Sequence, residues 1–156
     1  MTGCELVDIW AQAIVAADDF HDWCTETFGS TVKIFVGLDE ARRPGRDDAP
    51  YVLLHPLGDA RGPEAEFQEW GVWLSMGICA PERAPDVSGM VVAEPGLHLM
   101  DGEFCPRVLS ILHESEQPPH TGEGVTLPGK GGYVQRDVSL SLSEETVLGL
   151  GHNGWR

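Results

Sequence analysis

Between residues 69 and 79 the chain reads E-W-G-V-W-L-S-M-G-I-C, and every second position carries a large apolar side chain: Trp70, Val72, Leu74, Met76 and Ile78. Strict alternation over such a length predicts a β-strand that buries one face. The positions between them, Gly71, Trp73, Ser75, Gly77 and Cys79, are uncharged and, apart from Trp73, small. They predict a second face that lies against water or another protein.

The periodicity elsewhere is helical at the start and strand-like afterwards. Thr2 and Glu5 have capping-box spacing, and Leu6, Ile9, Trp10, Ala13, Ala17, Phe20, Cys24 and Phe28 share one helical stripe. With Gly29 as the stop, residues 2–28 predict one long amphipathic helix. The β-branched run 31–37 and residues 51–55, ended by Pro56, predict two short strands. Phe104, Val108, Ile111 and Leu112 give an apolar helical face over 102–114, with Pro106 tolerated only in the first turn. Residues 133–142 alternate again and predict the last strand, although Arg136 interrupts its apolar side. Glycine and proline punctuate the rest, above all 38–50, 58–63, 81–96 and 117–132. The expected fold is α+β: one domain over residues 1–156, with an antiparallel sheet of four or five strands and two helices packed on one face. Residues 38–50 and 117–132 are expected as flexible loops, the tail 143–156 is expected to fray, and Trp73, Ser75, Gly77, Ser139 and Ser141 are expected on an uncovered sheet face.

Charge changes the picture most. The chain of 156 residues has 25 acidic against 10 basic side chains, a net of −15, which opposes direct binding to nucleic acid. Such a surface favours solubility and does not stick to DNA passing near it. The four cysteines, at 4, 24, 79 and 105, show no C-x-x-C spacing and read as free thiols. No signal peptide or membrane-spanning run is legible, which points to a bacterial cytoplasmic protein.

Catalytic patterns are sparse. Gly122-Glu123-Gly124 and Gly129-Lys130-Gly131-Gly132 lack the spacing of a phosphate-cradling loop, and no G-x-S-x-G elbow is present. His21 and Cys24 stand three apart on the first helix and form the best start of a metal site, with Asp22 beside them. Zinc needs three or four converging ligands, whereas the sequence pairs two at a time, here and at His98 with Asp101 and His113 with Glu114. The alternative places Cys24 in the core stripe and His21 at its edge. Trp10, Trp23, Trp70 and Trp73 read as core or interface anchors, since no basic groove accompanies them.

The order of these elements, helix 2–28, strands 32–36, 51–55 and 70–79, helix 102–114 and strand 133–142, resembles that of small tail-terminator and minor tail proteins of long-tailed bacteriophages. The resemblance lies in layout and lends no signature residue. It implies a homo-oligomeric ring, usually a hexamer, at the head-proximal end of the tail tube. Such a ring stops tube growth and presents a surface to tail-tube and head-completion proteins. Its partners are then copies of itself and those neighbours, DNA slides through without specific binding, and the protein ends in the virion tail. On this expectation the chain is not an enzyme and has no cofactor. Arg42, Arg43, Arg46, Trp73 and Tyr133 are the expected interface residues. The alternatives are a small bacterial protein–protein interaction module, or a metal-dependent enzyme using His21 and Cys24.

Overall fold

The computed structural model describes residues 1–61, 67–80, 89 and 94–145. The capping box forms as its spacing requires: the Glu5 N–H donates to Thr2 Oγ1 at 3.1 Å and the Thr2 N–H to Glu5 Oε2 at 3.3 Å. Helix α1 (Gly3–Val15) buries Leu6, Val7, Trp10, Ala11 and Ile14. The expected single helix is in fact two. Ala17 leaves helical geometry at φ −83°, ψ 78°, and α2 (Asp18–Phe28) begins afresh with Asp18 and Asp19 in its first turn, where carboxylates favour the positive end of the helix dipole. Gly29, at φ 82°, closes α2 in the left-handed conformation that only glycine takes readily.

The class is α+β, with a five-stranded sheet in the order β1 (Lys33–Val36), β2 (Tyr51–Arg61), β3 (Phe67–Cys79), β5 (Tyr133–Glu145), β4 (His120–Pro128). It is mixed, not wholly antiparallel as expected. β1 runs parallel to β2, with Lys33 opposite Tyr51 and Val36 opposite Leu54, while the other neighbours are antiparallel. Parallel neighbours need a crossover of about a dozen residues or more. The charged excursion between Val36 and Tyr51 is that crossover. Two further expectations change for one reason: edge and bulged strands tolerate glycine and proline. β2 continues past Pro56 through a register shift between Pro56 and Gly58. The stretch 117–132 holds an edge strand, β4, joined to β5 by a turn in which the Gly129 N–H donates to the Tyr133 carbonyl at 2.7 Å.

The expected helix 102–114 starts earlier and changes pitch. α3 (Pro95–Leu99) passes through a π-helical turn (Met100–Phe104) into α4 (Cys105–His113). Pro106 lacks the N–H that would reach back to Gly102, and its ring crowds that carbonyl. The wider turn relieves the conflict, and the Cys105 N–H bonds the Met100 carbonyl instead. β5 runs on through Glu145, three residues beyond the expected end of the strand. Expectations about 62–66, most of 81–93 and 146–156 lie outside the described residues.

One core cluster joins Leu6, Trp10 and Ile14 of α1, Phe20 and Cys24 of α2, and Met100, Phe104 and Val108 to alternate positions of the sheet: Val52, Leu54, Trp70, Val72, Leu74, Met76, Ile78, Val138 and Leu140. Phe20, Trp23 and Phe28 surround Phe104 with ring centroids 5.5, 6.2 and 5.9 Å from it. Arg136, the interruption in the last strand, belongs to this side. Its Nη1 donates to Thr126 Oγ1 at 2.7 Å and stands 3.6 Å from Asp101, and the Thr126 hydroxyl donates to Asp101 at 2.6 Å. The trio ties the π-turn to β4 and β5.

Candidate functional site

The other face of the sheet carries Tyr51 and Leu53 of β2, Trp73, Ser75 and Gly77 of β3, and Gln135, Asp137 and Ser139 of β5, brought side by side by the register. This face was expected bare, and half of it is roofed. Tyr51, Leu53 and Ser75 are 1%, 2% and 4% exposed. Gly77 is buried because the Tyr51 ring lies where a Cβ would be. The roof is the crossover. The Leu38 N–H donates to His55 Nδ1 at 3.0 Å, and Arg46 reaches the Lys130 carbonyl in the β4–β5 turn at 2.5 Å. The far half, toward β4, stays open: Ser139 is exposed, and Val125 and Leu127 are 51% and 49% exposed. Val125 pairs with Asp137 and Leu127 with Gln135, so both belong to this face.

Between roof and edge strand runs a cleft of about 320 Å³. Leu38, Arg43 and Pro44 form one wall and Leu127 the other, over a floor of Leu53, Trp73 and Ser75. The polar end is Asp137. Its Oδ1 accepts the Ser75 hydroxyl at 2.7 Å and the Gln135 amide at 3.0 Å. Among the described residues no donor reaches its Oδ2 and no cation pairs with it. Nearby, the Tyr51 and Tyr133 hydroxyls share a hydrogen bond of 2.7 Å. Burial pushes both phenols up from their ordinary titration range, so neither ionises near neutrality.

Of the five expected interface residues, the cleft brings together Arg43 and Trp73. Arg46 is a pin within the molecule, Tyr133 is half-buried and bonded to Tyr51, and Arg42 is exposed, outside the cleft. Ser75, Gln135, Asp137, Val125 and Leu127 went unrecognised as a group. Their common face depends on which strand pairs with which, and β4 hid among glycines.

The His21–Cys24 pair does not meet as ligands. His21 Nε2 bonds the Ile14 carbonyl at 3.0 Å, at the break between α1 and α2, and Nδ1 the Thr31 hydroxyl at 2.8 Å, beyond the end of α2, so both ring nitrogens are engaged within the molecule. Cys24 is fully buried in the core, and desolvation pushes its thiol up to about 12 despite the opposing charge of Arg107. Among the described residues no three His, Cys, Asp or Glu side chains are placed to hold one ion together. No helix among them is long and apolar enough to cross a membrane. The sequence matches no model of a known protein family and no curated protein.

Proposed function

We propose that the chain is a structural assembly protein whose open sheet half meets other protein chains, as a tail-terminator or tail-completion subunit at the head-proximal end of a phage tail tube. The observation that carries this reading is the edge strand β4. It offers an unpaired row of backbone groups and exposes Val125 and Leu127 beside the half-buried Trp73. Isolated chains blunt such edges with charge, proline or a bulge; β4 has Glu123 within the register shift between Thr121 and Gly124 and Pro128 at its end, and between them Val125, Thr126 and Leu127 carry no charge. The opposite edge, β1, is a different sequence and exposes Val36. Two unlike edges suit head-to-tail contacts, which close into rings when the rotation between copies permits. The net charge of −15 suits a ring through which DNA slides.

Light scattering on a sizing column, followed by negative-stain imaging, tests the proposal. Closed rings support it, with a hexamer the form that the resemblance implies, and tail tubes that stop growing on addition of the protein support a place at the tube end. A monomer at every concentration, with no effect on tubes, sinks it. A small interaction module is the second reading. The cleft favours it to the extent that one partner, without self-assembly, covers the same face.

A further inference from the structure

From the cleft on the second face we infer a receptor for one basic side chain, a guanidinium or ammonium group presented by a protein partner. It deepens the assembly proposal by naming what this face takes, and rests on that proposal only in treating the face as a contact surface. The Asp137 carboxylate has one oxygen held by two neutral donors, Ser75 and Gln135, and the other without a protein donor among the described residues. Neutral donors fix the group's orientation and bring no countercharge. The three ion pairs among the described residues lie elsewhere: Lys33 with Asp48, Arg107 with Glu103 and Arg136 with Asp101. A charge-assisted bond to the free oxygen is the strongest contact the cleft can offer.

Trp73 supplies the second element. Ser75 lies directly across from Asp137, so Trp73, two residues along the same face, is a diagonal neighbour of Asp137, at a spacing of roughly 7–8 Å. A planar cation resting on an indole while bonding a carboxylate at that spacing uses both the ring face and the charge. The size is right as well: about 320 Å³ admits a side chain but not a folded segment.

The rim decides the source. Val125 and Leu127 flank the carboxylate and are half exposed. A free ion in the cleft would leave them wet, whereas a chain that delivers the cation from a surrounding apolar surface covers them in the same act. A charged anchor ringed by apolar contacts that exclude water is the anatomy of an interface hot spot. Arg43, on the opposite wall, makes no ion pair among the described residues, and its charge opposes an entering cation and weakens affinity.

The test is a titration of the full chain with a short blocked peptide carrying one arginine between leucines, read by tryptophan fluorescence and by the amide shifts of Ser75 and Asp137. The same peptide with citrulline, equal in shape but neutral, is the control, and methylguanidinium is the small probe. Asp137→Asn is expected to weaken the arginine peptide about tenfold or more, as loss of a charge-assisted bond does. Trp73→Phe weakens it about threefold. Asp22→Asn, an exposed acid on α2, leaves affinity unchanged, and Arg43→Ala tightens it. Thermal melts of each variant show that the fold persists, and Arg43→Ala keeps the test sharp if Asp137→Asn unfolds. Equal binding of the citrulline peptide overturns the inference, because the apolar rim alone then suffices. Loss of binding in Arg43→Ala overturns it too, since the cleft would then hold anions. Binding of methylguanidinium but not of the peptide removes the protein partner. A chain that stays monomeric yet binds the peptide keeps the inference while sinking the ring.

Discussion

The two faces of one sheet are built from the same strands and differ in almost every physical respect. On one, Val72, Leu74, Met76 and Ile78 meet the buried side chains of α1, α2 and α4 in a continuous apolar core, each fully shielded from water. On the other, the intervening residues of the same strand meet a crossover that roofs Tyr51, Leu53 and Ser75, touches the β4–β5 turn through Arg46, and leaves the rest of β5 and β4 open. Both sides of a strand therefore cannot be judged by its alternation alone. The dry side follows from side-chain character, whereas the wet side depends on how far an irregular segment reaches. The unroofed remainder, polar at Asp137 and apolar at Val125 and Leu127, is where the molecule is chemically unfinished.

Substitutions on the two faces should separate them cleanly. Leu74→Ala, in the dry core, is expected to cost about 2–5 kcal/mol in urea unfolding through lost contacts and a residual cavity. Leu127→Ala, on the open half, should cost less than about 0.5 kcal/mol. Equal losses would mean that the second face is sealed in solution. Gly77→Ala probes the roofed half. The new methyl meets the Tyr51 ring, which must shift and lose its 2.7 Å bond to Tyr133, at about 1–3 kcal/mol by the same unfolding measurement.

Alkaline pH acts on the dry side. Burial pushes the Cys24 thiol up to about 12 from a reference of 9.0, so above pH 9 the unfolded chain releases its proton first and unfolding gains. Stability is then fully present below pH 9 and falls by about 1.4 kcal/mol per pH unit toward 12. Urea melts of Cys24→Ala should lose that part of the slope. Raised titration of Tyr51 and Tyr133 adds a loss of the same sign at higher pH, which remains in the variant. Smallest in stability is Val125→Gln with Leu127→Gln, within about 0.5 kcal/mol per site. The pair should leave melts unchanged yet abolish any oligomer seen by light scattering.

The dry side was legible because burial there is written in periodicity. The long strand, the last strand and much of the first helix follow from apolar spacing, and Cys24 from its place in the stripe. The break at Ala17 was not, because both halves continue one stripe and only the Asp18-Asp19 pair marks a new beginning. β4 was hidden by Gly122, Gly124 and Pro128, which argue against a central strand but are tolerated on an edge. The parallel entry of β1 was hidden too, since a crossover and a hairpin loop share the same polar composition. Half of the cleft was visible, as Arg43 and Trp73. The other half, Asp137 with Ser75 and Gln135, exists only through pairing across β3 and β5.

Amide hydrogen exchange of β4 and β5 at rising protein concentration tests most directly whether the open half is a contact surface. Assembly through this edge predicts that exchange at Val125, Thr126 and Leu127 slows as concentration rises, while Leu6 to Ile14 of α1 exchange at a constant rate. Unchanged rapid exchange across β4 at all concentrations, from a particle that light scattering weighs as one chain, would contradict it.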